Sequence, residues 1–329
     1  MAKYGHTTEL VGVGGAQYSY NFSPALNLSL GTEYKYDKVN DEYVGQNRSV
    51  DQTVRTYGNY LQVEWNPIEK LTLLGGSRYD YVDIKGYYLF NGVNKDSNKQ
   101  ISKFVPRLTA MYNLSETMKL RGSFAQGYRA PQAFDEDLHT EVLDGNPIFV
   151  ELDRNLTSET SNSFTASLNY TKREGNTQAN LILEGFYTRI NDRFINQDLT
   201  DIGNIKHKLK TNAKDQLAII GANLEANFAF GNQWVWQSGI TYQQSQFTEE
   251  QTLWENEDPS DPKKVSSDRV MRSPDLYGYT TLSYSPISAL KLSYNGVFTG
   301  KMYVPHVINA DSGEQIIVKS PNFYEQNIR

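Results

Sequence analysis

The sequence alternates apolar and polar residues in segment after segment, and this period of two constrains the fold more than any other feature. Between residues 26 and 36, leucines and tyrosines occupy nearly every second position, and mostly polar residues lie between them. Such alternation is typical of a β-strand with one apolar and one polar face. About twelve segments follow the pattern, counting the less regular residues 9–20, and a thirteenth begins near Asn322. The chain is therefore predicted to be all-β.

The connections between the predicted strands are sorted by length. Short turns at 21–24, 66–69, 113–116, 173–176, 231–232 and 286–288 alternate with long polar connections at 37–54, 83–102, 126–161, 191–215, 247–269 and 300–321. A soluble sandwich has no reason to sort its loops in this way. An outer-membrane barrel does, because its turns are short on the periplasmic side and its loops are long on the outer side. The pattern therefore predicts an antiparallel transmembrane β-barrel.

Charged residues recur on one face of the predicted strands. A Lys or Arg that faces lipid at the middle of the bilayer costs roughly 2 to 4 kcal/mol, so the charged face is predicted to line the lumen. These residues are expected either to contact a polar partner inside the barrel or to pair across neighbouring strands. They are Glu33, Glu64, Arg78, Asp80, Arg107, Arg121, Glu184 and Glu225.

Composition excludes several other classes of protein. No run of about 18 apolar residues is present, which excludes a transmembrane helix. The chain has no cysteine, so disulfide scaffolds and thiolate chemistry are excluded as well. The 38 acidic against 32 basic residues argue against a nucleic-acid partner. The 23 tyrosines suit the aromatic girdles of an outer-membrane barrel, although a soluble tyrosine-rich sandwich would share them. No nucleophile elbow or phosphate-binding loop is present, so an enzyme is not expected.

Several motifs, in order along the chain, resemble those of the barrel of TonB-dependent outer-membrane receptors. The most specific are Val-Pro-Arg at 105–107, Arg-Gly-Ser-Phe-Ala-Gln-Gly-Tyr-Arg-Ala-Pro at 121–131 and Leu-Thr-Ser-Glu-Thr-Ser at 156–161. Others are Gly-Ser-Arg-Tyr-Asp at 76–80, Glu-Gly-Phe-Tyr-Thr-Arg-Ile-Asn-Asp at 184–192, Gly-Ala-Asn-Leu-Glu at 221–225, Arg-Ser-Pro at 272–274 and Gly-Lys-Met-Tyr-Val-Pro at 300–305. Together they span most of the chain.

This resemblance implies a barrel of roughly 22 strands that holds an N-terminal plug. Such receptors import iron-siderophore complexes, cobalamin and similar chelates across the outer membrane of Gram-negative bacteria. They are energised by the TonB–ExbB–ExbD complex, and no cofactor is expected. The eight charged residues of the lumenal face are then expected to contact the plug.

The same resemblance implies that residues 1–329 are only part of the barrel. They are expected to supply about 12 to 13 strands, without the plug, the TonB-binding box, the early strands or the last strands of the family. Open sheet edges are costly in lipid. This polypeptide alone is therefore not expected to insert as a closed pore.

The long outer connections contain the candidate ligand-binding residues. Arg129, Asp135, Glu136 and His139 lie in the connection 126–161, whose acidic side chains would suit a cationic chelate. Trp254 lies in the acidic segment 249–269, where it could stack on an aromatic ligand. The ordinary alternatives are a solvated loop and a tryptophan packed on its own loop. No histidine pair has the spacing of a zinc motif, so no metal site is expected.

A second function, of a different class, fits the same barrel. A passive adhesin or surface antigen would use its outer loops to bind a host protein or polysaccharide. It would need neither a plug nor TonB. The genomic sequence upstream of Met1 separates the two hypotheses, because only an importer requires a TonB box and a plug.

Overall fold

The computed structural model describes residues 5–43, 48–90, 93–131, 148–200, 206–256, 258, 260–309 and 313–329. The first strands are β1 (Gly5–Ser23), β2 (Leu26–Tyr43), β3 (Arg48–Ile68), β4 (Leu71–Phe90), β5 (Val93–Asn113), β6 (Met118–Arg129), β7 (Ile148–Leu152), β8 (Glu159–Glu174), β9 (Thr177–Asn191) and β10 (Phe194–Asp198). The others are β11 (Lys206–Asn212), β12 (Leu217–Phe230), β13 (Trp234–Glu255), β14 (Lys264–Arg269), β15 (Leu276–Ile287), β16 (Leu290–Thr299), β17 (Tyr303–Asn309), β18 (Glu314–Lys319) and β19 (Phe323–Ile328). The described residues include no helix long and apolar enough to cross a membrane.

Most of the chain forms one large sheet, which we call the wall. Its strands follow the order β1-β2-β3-β4-β5-β6-β8-β9-β12-β13-β15-β16-β19, and β14 pairs with the outer part of β13. All neighbouring strands of the wall are antiparallel. The strands on this path coincide with the predicted segments, including the one near Asn322, so the predicted all-β antiparallel fold is confirmed.

One face of the wall is apolar and exposed. Leu120 stands opposite Leu168 on the next strand, and Leu183 stands opposite Leu224. The side chains of Leu120 and Leu183 are 46% and 53% exposed. Rows of exposed apolar side chains of this extent need an apolar surrounding. In a transmembrane barrel this face meets lipid, and the opposite face lines the lumen.

Aromatic rings band the apolar face at both ends of the strands. Near the short turns, Trp234 and Tyr284 stack with their ring centroids 4.0 Å apart. Toward the long connections, Tyr57 lies 4.8 Å from Tyr34 and 6.4 Å from Tyr81, again between centroids. Amphipathic rings favour the two boundaries of a bilayer, so the bands mark the height of the lipid-facing belt.

Two of the predicted long loops are strands instead. β2 continues to Tyr43 before β3 begins at Arg48, and β4 continues to Phe90 before β5 begins at Val93. The prediction of loops at 37–54 and 83–102 was wrong, because strands outside the lipid layer can pair through backbone hydrogen bonds without an apolar face. The extended part of β4 instead buries side chains on its polar face, where Ile84 is only 1% exposed.

The other long connections contain short strands as well. β7, β10 and β11 form a separate sheet, which we call the loop sheet, in the order β10-β11-β7. β10 and β11 are antiparallel, whereas β11 and β7 are parallel. The loop sheet thus joins the connection that follows β6 to the connection that follows β9. β17 and β18 form a third, two-stranded sheet. The buried apolar residues of the described chain concentrate at this outer end, and they are Val50, Val82, Ile84, Tyr88, Val150, Leu156 and Ala213.

Candidate functional site

The polar face of the wall carries all eight charged residues that the sequence assigns to the lumen, opposite to the apolar rows. Glu184 accepts a hydrogen bond of 3.3 Å from the Asn223 amide. Within the described part of the chain, five of the eight form no ion pair, namely Glu64, Arg107, Arg121, Glu184 and Glu225. Their charges are therefore not neutralised by an ion pair on the polar face of the wall.

The other three charged residues, Glu33, Arg78 and Asp80, form a hydrogen-bond network with Tyr128. Arg78 Nε donates to Asp80 Oδ1 at 2.6 Å, and Arg78 Nη2 donates to Glu33 Oε1 at 2.9 Å. The Tyr128 hydroxyl donates to the other oxygen of Asp80 at 2.9 Å. Asp80 is only 4% exposed, and charge-assisted hydrogen bonds of this kind are the strong ones. The network connects β2, β4 and β6 across the strands between them.

The wall divides between β5 and β6 just below Tyr128. Pairing of these two strands ends at Arg107 and Ala125, while β5 continues with β4 and β6 continues with β8. The next residue of β5 is Pro106, which has no N–H to donate to a ladder. The loop sheet and the network of Tyr128 lie at this division.

The loop sheet is attached to β5 by two lysines. Lys95 forms an ion pair with Glu151 of β7, and His207 Nε2 of β11 lies 3.3 Å from the same carboxylate. Burial opposes ionisation of Glu151, but the hydrogen bonds and charges of Lys95 and His207 outweigh it and lower the pKa of this carboxyl group. Further along β5, Lys99 donates to the backbone carbonyls of Arg154 and Leu156, which follow β7.

A second attachment joins the loop sheet to the far side of the division. Glu159, at the start of β8, accepts hydrogen bonds from Arg129 Nε and from the backbone N–H of Phe194. The Arg129 guanidinium lies 5.0 Å from the centroid of the Phe194 ring. Next to it, Arg193 Nη2 donates to both carboxylate oxygens of Asp215, at 2.8 and 2.7 Å. The start of β10 is therefore held by charged groups, of which Glu159, Arg193 and Asp215 are mostly buried and Arg129 is exposed.

A cavity of about 760 Å³ lies between β5 and the connection that carries β7. Its volume is in the range of roughly 300 to 1,000 Å³ that is usual for small-molecule sites. It is lined by Tyr88, by residues 95–101 of β5, by residues 150–152, and by residues 154–157. Polar and charged side chains make up most of its lining, and a smaller number of apolar side chains lie among them, so the cavity suits a polar solute better than an apolar one.

The structure places the predicted ligand-binding residues in different surroundings. Arg129 belongs to the attachment at Glu159 and does not line the cavity. Trp254 lies on β13, which continues to Glu255 and pairs with β14, so much of the predicted long connection 247–269 is paired strand instead of loop. β13 and β14 form backbone hydrogen bonds on both sides of the segment that contains the prolines. The predicted residues Asp135, Glu136 and His139 lie outside the described residues.

The residues that line the cavity were not recognised from the sequence. Lys95 and Lys99 fall in the predicted long connection 83–102, and Glu151 and Arg154 fall in the predicted long connection 126–161. No local pattern marks this part of β5 as a strand, since residues 94–100 are all polar. Charged strands and charged loops have similar composition, so only the pairing with β4 distinguishes them.

These features together define a class of protein. An antiparallel wall with a lipid-facing apolar surface between aromatic bands, and with a charged opposite face, is the wall of an outer-membrane β-barrel. The chain belongs to the family of the TonB dependent receptor-like β-barrel, whose model matches residues 2–323. This family consists of outer-membrane transport receptors. The recognition of the family from the motifs at 76–161 and beyond is confirmed.

Solved structures of the same fold support this assignment. The FrpB iron transporter of Neisseria meningitidis aligns with a TM-score of 0.68 at 15% identity, over 98% of this chain and 48% of its own. The ferric-catecholate import receptor Fiu of E. coli K12 aligns with a TM-score of 0.69 at 10% identity, over 98% and 48%. The siderophore receptor PiuA of Acinetobacter baumannii gives 0.67 at 12% identity, over 98% and 49%. The chain thus spans about half the length of these structures. No curated protein sequence matches it.

Proposed function

We propose that this chain is part of an outer-membrane receptor that actively imports a scarce solute, such as an iron-siderophore complex, cobalamin or a similar chelate. Outer loops bind the solute, and a plug inside the barrel is displaced when the TonB–ExbB–ExbD complex transmits energy. The mechanism consists of selective binding and gated passage, without covalent chemistry. The neighbouring structures named above are an iron transporter, a ferric-catecholate import receptor and a siderophore receptor, which supports this class of solute.

The observation that carries the proposal is the combination of family membership with an outer cavity above a charged lumenal face. The loop sheet is attached across the polar face of the wall at Lys95, Lys99 and Glu159. A solute bound beside it lies directly above the lumenal charges. A passive adhesin has no need for such a charged interior, whereas an importer needs one to hold a polar plug.

The eight lumenal residues are proposed to contact that plug. Arg107 and Arg121 are exposed on the polar face and form no ion pair with the described residues. Unpaired charges at a protein interface favour a partner of complementary charge. Residues 1–329 are accordingly proposed to form part of a larger barrel in the outer membrane.

The test is an uptake measurement on cells that carry the complete gene. Cells with the gene deleted, and cells that lack TonB, should both lose uptake of radiolabelled ferric chelate or cobalamin. Expression of the intact gene should restore uptake only in the cells that contain TonB. Each solute is supplied separately, so that the one that depends on the gene is identified.

An adhesin gives the opposite result. Binding of host protein or polysaccharide would then depend on the gene but not on TonB, and uptake of every labelled solute would be unchanged by the deletion. That outcome would contradict the proposed import function.

A further inference from the structure

The cavity beside β5 is lined by more basic than acidic side chains. Three basic residues line it, Lys95, Lys99 and Arg154, together with the acidic residues Asp96 and Glu151. Glu151 already forms its ion pair with Lys95 and also faces His207. Asp96 is exposed and alternates to the opposite face of β5 from Lys95. Lys99 and Arg154 form no ion pair with a carboxylate among the described residues, and Asp153 acts on Lys99 only through its charge.

Lys99 is held in place by neutral groups. Its ammonium donates to the carbonyl oxygens of Arg154 at 3.0 Å and of Leu156 at 2.6 Å. An ammonium group has three donors, so one remains for another acceptor. The carbonyl groups orient the charge but do not cancel it.

Burial adds to this imbalance. Removal from water lowers the pKa of Lys99, and the charge of Asp153 only partly offsets the effect. A positive charge that is incompletely solvated is stabilised by a nearby anion. Arg154 lies at the same cavity, is exposed, and presents a planar set of donors that matches carboxylate and similar oxyanions.

We propose that this cavity binds an anionic solute, and that Lys99 and Arg154 recognise its negative charge. The inference rests on the proposed import function in that the anionic solute would be the imported chelate. It names a class of ligand opposite in charge to the one that the acidic residues of segment 126–161 suggest. Tyr88 and Ile101 supply apolar contacts beside the charged ones.

The experiment compares two iron complexes of similar size and different charge. An anionic ferric tris-catecholate and a neutral ferric tris-hydroxamate, both labelled with radioactive iron, are equilibrated with the purified protein from the complete gene. The anionic complex should bind more tightly, and its affinity should fall as salt concentration rises. Lys99→Gln and Arg154→Gln should each weaken this binding about tenfold, as expected for loss of one charge-assisted hydrogen bond.

Two further variants guard against indirect effects. Lys99→Arg keeps the charge and should retain most of the affinity. Lys85→Gln removes an exposed lysine from the other face of the same hairpin, where its nearest acidic partner is Asp83, and should leave binding unchanged. Arg154 makes no side-chain hydrogen bond or ion pair with the described residues, so its substitution tests charge without disturbing the attachment of the loop sheet.

Several results would overturn the inference. Equal affinity for the two complexes, absence of binding by the anionic one, or equal effects of Lys99→Gln and Lys85→Gln would each exclude recognition of an anion at this cavity. If TonB-dependent uptake persists for a neutral solute only, the anionic cavity is wrong and the import function stands. If no solute is imported while the anionic complex still binds at Lys99 and Arg154, the import function is wrong and the site stands.

Discussion

Arg78 contacts Glu33 across the whole width of β3, because the residue between them is a glycine. Gly58 stands opposite Glu33 on one side and Asp80 on the other. A Cβ atom at position 58 would overlap the Arg78 guanidinium and lie 2.5 Å from Asp80 Oδ1. The glycine thus leaves the space through which the 2.9 Å hydrogen bond between Arg78 and Glu33 passes.

Gly58→Ala is therefore expected to break this ion pair. The guanidinium is flexible and would move aside, so the cost is that of the lost charge-assisted hydrogen bond, about 1 to 2 kcal/mol. The measurement is the free energy of unfolding of the complete receptor in detergent, by urea titration. Gly122→Ala is the matched control, because a Cβ at Gly122 meets nothing within 4 Å. Equal stability of the two variants would show that the hydrogen bond between Arg78 and Glu33 contributes nothing to the free energy of unfolding.

Tyr128→Phe should remove the hydroxyl that donates to Asp80. One oxygen of a carboxylate that is only 4% exposed would lose its partner at 2.9 Å, at a cost of about 1 to 3 kcal/mol. Tyr79→Phe serves as the control, since Tyr79 is 48% exposed on the apolar face. Urea titration of both variants tests the expectation. A loss of stability in Tyr79→Phe that matches the loss in Tyr128→Phe would refute the role of the hydrogen bond.

Attachment of the loop sheet should weaken in acid. The pKa of Glu151 is lowered in the folded protein, because Lys95 and His207 outweigh the effect of burial. A carboxyl group whose pKa is lowered by folding stabilises the folded state at every pH above its pKa in the unfolded chain, which is about 4.3. This stabilisation is lost as the pH falls through the pKa of the folded state. Protection of the β7 and β11 amides, measured against the intrinsic exchange rate at each pH, should therefore fall below about pH 4.

Glu151→Gln should remove that pH dependence and give low protection at every pH tested. Glu174→Gln is the control, because Glu174 pairs with Lys172 at the opposite, short-turn end of β8. Its substitution should leave the exchange profile of the loop sheet as in the unmodified protein. An acid-induced loss of protection that survives in Glu151→Gln would assign the effect to another group.

Substitution on the two faces of β9 should have opposite consequences. Leu183→Arg places a charge on the apolar face between Leu168 and Leu224, which costs roughly 2 to 4 kcal/mol near the bilayer midplane. Ile182→Arg places the same charge on the polar face, opposite Glu225, where it should be tolerated. The amount of folded receptor in isolated outer membranes measures both. Equal assembly of the two variants would contradict the assignment of the faces.

Regular alternation made the wall predictable. In the belt, lipid on one side and a polar lumen on the other impose a period of two, so segments such as 26–36 and 163–170 reveal both the strand and its faces. The motif at 121–131 identified the family because it contains both the end of a strand and the start of the long connection that follows it. The charged face could likewise be predicted from the sequence, since Arg78 and Asp80 are two residues apart on one strand and so lie on the same face.

The outer end was less predictable for a physical reason. Above the lipid both faces of a strand meet polar surroundings, so 37–43 and 83–90 lose the alternation and resemble loops. The parallel pairing of β7 with β11 joins residues more than fifty positions apart, and no local pattern encodes such a contact. Lys99 could not be recognised as a site residue until Arg154 and Leu156 were placed beside it.

The sequence by itself determined the class of fold, the number and order of the wall strands, and the side of the wall on which each charge lies, because these follow from the local requirement that lipid-facing residues be apolar. The tertiary structure decided which charges meet. Gly58 opens the passage from Arg78 to Glu33, Pro106 ends the β5–β6 ladder, and the loop sheet then closes against β5 to form the cavity. These outcomes depend on contacts between segments distant in the chain.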